Sequence, residues 1–269
     1  MRNRSEQPEP GVPFAGANPN VDGPPRPARI GGMATPLGVY LTTGVHRGGP
    51  GMRGLMLNGA LFAVVTHLIM HGYPVFFSLL YLLWPPVAAL STVHQLMLEM
   101  GFAIGLLLVL VRVTPMSALH GAEHKTIAAL ELGHPPAYDA VHFQPKVHRR
   151  CGTNLMALLL GVQVSLLSWW LMVPSLSIPG QLLYLCLWAG LIGRFWRPGG
   201  YWIQKYWTTR EPNDAELESG LLAGREILAK FAAAPHGKLS LWRRLWAMGF
   251  IEMLTGFVAT AWILSWLWP

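Results

Sequence analysis

Two histidines and a glutamate in the segment His120-Gly-Ala-Glu-His124-Lys125 are the side chains best suited to chemistry in this sequence. On a helix, positions i and i+4 share a face, so His120 and His124 can both point at one ion with Glu123 beside them. The order His-x-x-Glu-His is that of the inverted zinc-peptidase motif, in which the carboxylate acts on water polarised by a metal. Short patterns also arise by chance, and histidines near a membrane also anchor its interface, so the spacing indicates a metal site and does not establish one.

A second cluster of potential ligands, His148-Arg-Arg-Cys151-Gly-Thr-Asn154, closes the polar loop that begins with the histidine motif. His148 and Cys151 are spaced i, i+3, a thiolate suits zinc, and paired arginines lower a thiol pKa or bind a phosphate. The alternative is a basic flank followed by the start of an apolar helix, with residues 152–154 as its caps. Spacing alone favours this structural alternative.

A third polar segment, Tyr201-Trp-Ile-Gln-Lys-Tyr-Trp-Thr-Thr-Arg-Glu-Pro-Asn-Asp214, leads into an amphipathic helix predicted over residues 215–231, with acids in its first turn. Its aromatic residues suit a membrane interface, and Arg210 with Glu211 is expected to form an ion pair. The residues expected to form caps and turns are Thr208, Thr209 and Asp214. Nothing in this segment by itself requires catalysis.

The elements that must position these side chains are membrane helices. Of 269 residues, 52% are hydrophobic and 12% charged, and the mean hydropathy is +0.36, whereas about a quarter of the residues in a soluble domain are charged. We therefore predict an all-α, polytopic helical membrane protein. The net charge of +7 raises the question of a nucleic-acid partner, but the placement of the cations favours membrane lipids and no nucleic acid.

All 20 lysines and arginines fall into three blocks that alternate with cation-free apolar windows. The windows cover residues 54–111, 151–193 and 245–269. Short turns near Trp84-Pro-Pro86 and residues 173–179 divide the first two windows into pairs of spans, giving about five transmembrane helices. The positive-inside rule then places the N-terminus and residues 112–150 and 194–244 in the cytoplasm, with the short C-terminus outside.

Residues 52–72 are apolar but carry polar side chains, namely Asn58, His67 and His71. A third span before the histidine motif would break the charge rule. We therefore predict an interfacial or re-entrant helix here, with residues 73–90 and 96–113 as the true spans.

Residues 1–30 are rich in Pro, Gly and charge, lack an apolar signal segment, and are predicted to form a disordered cytoplasmic tail. Residues 31–232 form the predicted membrane domain that carries the three motifs. Residues 233–269 are predicted to be a linker and an additional C-terminal transmembrane helix. A disulfide between Cys151 and Cys186 is not expected, because Cys151 faces the reducing cytoplasm and Cys186 lies inside a span.

Taken together, the three segments resemble the YqhQ-like bacterial membrane proteins, a family of unknown function described as predicted metal-dependent enzymes. The resemblance rests on HGAEHK, HxxCGT and TTREP in this order and spans about residues 31–230. It implies a location in the bacterial inner membrane. The positions that match the family motifs are His120, Glu123, His124, Lys125, His148, Arg150, Cys151, Gly152, Thr153, Gln204, Thr208, Thr209, Arg210, Glu211, Pro212 and Asp214.

This chain departs from the family pattern at three places. The family has Gly-Gly-Gln-Ala followed by a glutamate, whereas Gly31-Gly-Met-Ala-Thr-Pro-Leu37 lacks both the glutamine and the acid. Arg149 stands where a proline is usual, and the last predicted span is an addition. This chain therefore has no counterpart of the family's N-terminal acid in this segment.

All three motifs fall at the predicted cytoplasmic ends of different helices, the arrangement needed for one site. The expected metal ligands are His120, His124, His148 and Cys151. The expected catalytic residues are Glu123, Lys125 and Arg210. Glu123 is expected to act as ligand or general base, and the two cations to stabilise negative charge or hold an anionic head group.

The expected cofactor is a divalent metal, Zn²⁺ first, with iron and manganese as alternatives. The expected function is a hydrolase-like enzyme acting at the cytoplasmic face through metal-activated water, on a lipid, peptide or small molecule that the sequence does not identify. Four protein ligands would instead make a closed, structural site, and the protein would then be a membrane scaffold. A transporter is the third possibility, resting on Glu99 and Glu252 in the predicted spans.

Overall fold

The computed structural model describes residues 27, 29–234 and 246–267. Most of the predicted N-terminal tail and residues 235–245 of the predicted linker lie outside the described residues. Three strands form an antiparallel sheet in the order β1-β2-β3. They are β1 (Gly31–Thr35), β2 (Gly38–Thr42) and β3 (Arg47–Gly48).

Helices make up most of the described chain. They are α1 (Gly51–Leu83), α2 (Pro85–Ala88), α3 (Thr92–Val113), α4 (Met116–Glu131), α5 (Tyr138–His142), α6 (Gly152–Met172), α7 (Ile178–Ile203), α8 (Asp214–Ala233) and α9 (Phe250–Leu267). A 3₁₀ turn, Val173–Ser175, follows α6, and a π-helical turn, Gln204–Thr208, follows α7. The turns predicted at Trp84-Pro and at residues 173–179 are confirmed.

Five of these helices are long and apolar enough to cross a membrane. They are α1, α3, α6, α7 with its π-helical turn, and α9. Few of their residues are buried within the protein, so their apolar side chains face outward, as a bilayer requires. The all-α, polytopic prediction is confirmed, and the last of the five helices lies within the predicted C-terminal span.

The prediction of a separate interfacial helix over residues 52–72 is wrong. That segment continues without a break through Pro74 as α1. Proline removes one backbone hydrogen bond from a helix. It is tolerated in membrane helices because neighbouring groups satisfy the backbone carbonyl that is freed. At 1.5 Å per residue α1 is about 50 Å long, which exceeds the ~30 Å hydrocarbon core. The first part of α1 meets the sheet, where Asn58 donates to the Met33 sulfur at 3.3 Å.

The described chain forms two compact units that alternate along the sequence. The described residues of the first unit lie within Met1–Val64, Thr114–His148 and Thr209–Pro269, and those of the second within Val65–Val113 and Arg149–Thr208. The first unit therefore holds the sheet, the start of α1, and helices α4, α5, α8 and α9. The second holds the rest of α1 with α2, α3, α6 and α7.

The core of the first unit is a β-hairpin packed against α4 and α8. Strand β2 is buried along its whole length, and the hairpin turns through Pro36 and Leu37 into Gly38, whose φ is +123°. Glycine adopts this left-handed backbone without steric cost. This sheet was not predicted from the sequence. The signal available was the β-favouring run Val39-Tyr-Leu-Thr-Thr43 between Gly38 and Gly44.

Helix α8 confirms the amphipathic helix predicted over residues 215–231. Its N-cap is Asn213, in a reciprocal capping box with Glu216, so none of Thr208, Thr209 and Asp214 caps this helix, and their role as turn formers stays a prediction. Asn213 and Glu216 satisfy each other's backbone N–H groups, which fixes where the helix begins. Gly220 lets α8 approach Thr126 of α4 closely, because a Cβ atom there would overlap the threonine hydroxyl.

Helix α9 is tied to the first unit by polar and backbone contacts. Arg47 of β3 forms an ion pair with Glu252 at 2.6 Å, and the Tyr40 hydroxyl donates to the carbonyl of Ala247 at 2.9 Å. Gly59 of α1 and Gly256 of α9 each lie against the other helix's backbone. Such close crossings through small residues are typical of membrane helices.

Candidate metal centre

The histidine motif lies on α4, the most buried helix of the first unit. His120 and His124 share one face, with ring centroids 4.3 Å apart and a pair of ring nitrogens within 4.8 Å of each other. The prediction that the two imidazoles lie on one helix face is confirmed. Two nitrogens at this separation can reach a common ion with small rotations of the rings.

The tautomer of His124 is fixed by the loop that follows α5. Its Nδ1 lies 2.7 Å from the carbonyl oxygen of Lys146, and since a carbonyl only accepts, Nδ1 carries the hydrogen and Nε2 keeps its lone pair. The ring is 2% exposed. Burial, and then the neighbouring His120, holds the pKa of His124 well below its ordinary value, although the hydrogen bond to Lys146 acts in the opposite direction. A neutral ring oriented by a carbonyl is the usual state of a metal-binding histidine.

His148 brings a third imidazole to the same unit. Its ring centroid is 5.7 Å from that of His124, and its Nε2 lies 3.6 Å from Glu131, at the end of α4. Glu131 was missed by the sequence analysis. Helical spacing could have found it, because a residue seven positions after His124 returns to the same helix face.

Glu123 lies on the side of α4 that meets β1. Its side chain is 6% exposed and packs on the backbone of Gly32, where an added Cβ atom would fall 2.8 Å from the carboxylate. The Gly31-Gly segment, in which this chain departs from the family pattern, therefore lines the surroundings of the predicted general base. This contact between Glu123 and the Gly31-Gly segment was not predicted from the sequence.

Lys125 is held by groups from two other segments. Its ammonium donates to the carbonyl of His142 at 2.6 Å and pairs with Glu211 at 2.5 Å. The lysine side chain is 5% exposed and the glutamate 57%. The predicted ion pair between Arg210 and Glu211 is wrong, because Glu211 turns to the buried lysine while Arg210 lies 3.7 Å from Glu216.

The TTREP segment docks on α4 through its backbone. The Arg210 N–H donates to the carbonyl of Ser117 at 2.8 Å, and the Arg210 carbonyl lies where a Cβ atom of Gly121 would be. Glycine inside a helix costs about 1 kcal/mol relative to alanine. Its presence within HGAEHK is explained by the space that this segment needs. The first and third motifs thus form one packed structure.

Cys151, the remaining predicted ligand, belongs to the second unit, where it is the N-cap of α6. Its sulfur accepts the Thr153 N–H at 3.4 Å and its thiol donates to the Thr153 hydroxyl at 3.3 Å. Burial raises the pKa of this thiol, against the two hydrogen bonds with Thr153. The alternative in which this motif starts an apolar helix is confirmed, because α6 begins at Gly152. The cap is Cys151 and not one of residues 152–154. Its role as a ligand stays a prediction.

Comparison with known families gives one result. A family model described as a protein of unknown function (DUF1385) matches residues 51–193, just over half of the chain. The chain belongs to this family. No curated protein and no solved structure matches it. The DUF1385 match contains all four predicted ligands, whereas the sheet, the TTREP segment, α8 and α9 lie outside it.

Within the second unit, a buried polar network joins the second motif to the end of α7. Gln204 donates to the side-chain oxygen of Asn154 at 2.9 Å, and the hydroxyls of Thr153 and Thr208 are 3.3 Å apart. Gly200 lies against Asn154 and leaves no room for a side chain. These contacts assign a packing role to the motif residues Gln204 and Thr208, neither of which is among the predicted ligands or catalytic residues. The π-helical turn between them, a rare form that is frequent near functional sites, positions both side chains.

Proposed function

We propose that this DUF1385 protein is a YqhQ-like, metal-dependent membrane enzyme of the hydrolase type. The proposed metal ligands are His120, His124 and His148, and the ion is divalent, with Zn²⁺ as the first choice because three histidines form a known catalytic zinc set. The observation that carries the proposal is the arrangement of three neighbouring imidazoles in one unit, with the tautomer of His124 fixed by a backbone carbonyl. The carboxylate of Glu131 beside His148 supplies a second orienting contact.

A divalent ion held by three imidazoles would lower the pKa of a bound water molecule to about 7. Glu123, three positions after His120 and so beside the histidine face of α4, would accept a proton from that water as general base. Lys125 and Arg210 remain the proposed anion-stabilising residues. Of the two, Arg210 is the more available to a substrate, because its side chain is 43% exposed and that of Lys125 is engaged by Glu211.

The second candidate function is a non-enzymatic scaffold with a structural metal. It requires Cys151 as the fourth ligand, because four protein ligands close a zinc site and three leave a position open for water. Transport has less support, because Glu99 accepts from Tyr81 at 2.9 Å and Glu252 pairs with Arg47.

The test is metal content, measured by mass spectrometry on detergent-purified protein. We expect about one equivalent of metal in wild type and in Glu123→Gln, and its loss in His124→Ala. His94→Ala is the matched control, because His94 is exposed and belongs to the second unit. If Cys151→Ala keeps its metal, the result would support three protein ligands. If it loses its metal, the result would support the closed structural site.

Activity then separates enzyme from scaffold. Turnover of lipid or peptide esters and amides by reconstituted wild type should be abolished by Glu123→Gln at unchanged metal content, as expected for removal of a general base, which contributes about 10²–10⁴-fold. A folded wild type that takes up no metal, even after incubation with Zn²⁺, would contradict the proposal.

A further inference from the structure

The second unit contains an apolar groove between α3 and α6. Its volume is about 330 Å³, and it is lined by one face of α3 between Met100 and Leu108 and one face of α6 between Met156 and Gln163. This volume is at the lower end of the ~300–1,000 Å³ typical of ligand pockets. Among the lining residues described, Gln163 alone carries an amide, and the others are apolar.

The groove opens toward the surroundings of the two helices. The lining residues of α3 include Met100, Ile104 and Leu108, which repeat every four positions and so form one face. Across the gap, Leu159 of α6 is 59% exposed. Because α3 and α6 are both long and apolar enough to span a membrane, the space between them faces hydrocarbon, and a lipid chain is the partner that this depth supplies.

Arginines lie at one end of the groove. Arg112 follows Leu108 by four residues and continues the lining face of α3 by one turn. Arg149 and Arg150 immediately precede the capping residue of α6. If α3 and α6 both cross the membrane, these three cations lie at the same membrane surface. Residues 100–113 and 149–172 contain no aspartate or glutamate, so these segments bring no negative charge to that end.

We propose that this groove seats an acyl chain of an anionic membrane phospholipid, with the phosphate held by Arg112, Arg149 and Arg150. A lipid chain gains little by moving from the bilayer into an apolar groove, since lipid tails are as apolar as leucine. Preference for one lipid must therefore come from the head group. Guanidinium groups bind phosphate oxygens in pairs and attract anionic head groups near the membrane surface.

This lipid site is independent of the proposed metal chemistry. It lies wholly within the second unit, and its measurement needs no turnover. The lipid preference is therefore expected to survive in His124→Ala, which fails only the metal assay. A wild-type protein that binds metal normally but shows no lipid preference would contradict the lipid site alone.

The head-group arm of the test uses native mass spectrometry of the full chain in mild detergent. Phosphatidylglycerol and phosphatidylcholine with identical acyl chains are titrated separately. Wild type should retain one phosphatidylglycerol in preference to phosphatidylcholine, and Arg149→Ala with Arg150→Ala should weaken that preference about fivefold per arginine. Arg225→Gln, an exposed arginine of α8 in the first unit, is the matched control and should change nothing.

The acyl-chain arm fills the groove. Leu108→Trp should reduce the retention of both lipids, whereas Val109→Trp, the next residue and outside the lining set, should not. Leu160→Phe is a smaller change for use if Leu108→Trp does not fold, as judged by circular dichroism. Equal binding of both lipids by wild type, or equal effects of the groove variant and its neighbour, would show annular lipid only and overturn the proposal.

Discussion

At the scale of single residues, the chemical motifs also carry packing duties. Within HGAEHK, His124 is oriented by a carbonyl, Lys125 is bound by Glu211, and Gly121 makes room for the backbone of Arg210. A substitution in this motif can therefore disturb the docking of the TTREP segment without touching a ligand. Metal content must accordingly be compared among variants of known stability.

The clearest residue-scale prediction concerns Gly121→Ala. The added methyl group would overlap the Arg210 carbonyl, and overpacking of this kind costs about 1–3 kcal/mol. We expect a lower apparent melting temperature in detergent, followed by tryptophan fluorescence. The control is Gly101→Ala in α3, where nothing lies within 4 Å and alanine should be neutral or stabilising by up to about 1 kcal/mol. Equal melting temperatures for the two variants would argue against the docking described here.

At the scale of elements, the sequence was informative wherever one physical signal dominated. Cation-free windows located the spans, and the spacing of apolar residues located α8. The hairpin was missed because its strands are only five residues long and owe their place to burial against α4 and α8. The break expected after residue 72 was wrong because a continuous helix satisfies its own backbone, which outweighs the presence of Asn58 and two histidines.

The candidate site was predictable only in part, for a related reason. Helical periodicity puts His120 and His124 together, but it cannot show which carbonyl faces a ring. The contact of Glu123 with Gly32 joins positions far apart in the chain, and Glu211, the partner of Lys125, lies beyond three further helices. Such contacts depend on the tertiary fold, which residue spacing alone does not encode.

The crossing of α1 and α9 gives an element-scale prediction. A Cβ atom on Gly59 would overlap the Met253 carbonyl, and one on Gly256 would overlap that of Met56. Alanine at either position should force the helices apart and cost about 1–3 kcal/mol of stability. The measurement is a lower apparent melting temperature. Gly72→Ala, in the same helix but with nothing within 4 Å, should leave stability unchanged. A stabilised Gly59→Ala variant would show that the crossing is looser than described.

At the scale of the whole molecule, the alternation of charge with apolar helices predicts an orientation. The loops rich in lysine and arginine are expected in the cytoplasm, which requires α9 to end on the opposite face.

Reporter fusions test this orientation. Green fluorescent protein fused after Pro269 should be dark and alkaline phosphatase active there, whereas green fluorescent protein after residue 234, which omits α9, should be fluorescent. A bright fusion at Pro269 would reverse the orientation and move the candidate metal centre to the outer face.

The alternation of the two units along the chain has a consequence for biosynthesis. The hairpin is made first, yet it packs against α8, and Arg47 meets Glu252, 205 positions later. The nascent first unit must therefore remain incomplete at the membrane while the helices of the second unit are inserted. Pairings over such long separations form slowly and leave apolar surface exposed in the meantime. A ribosome that stops before α8 would leave an insertion intermediate suited to capture by chaperones or membrane proteases.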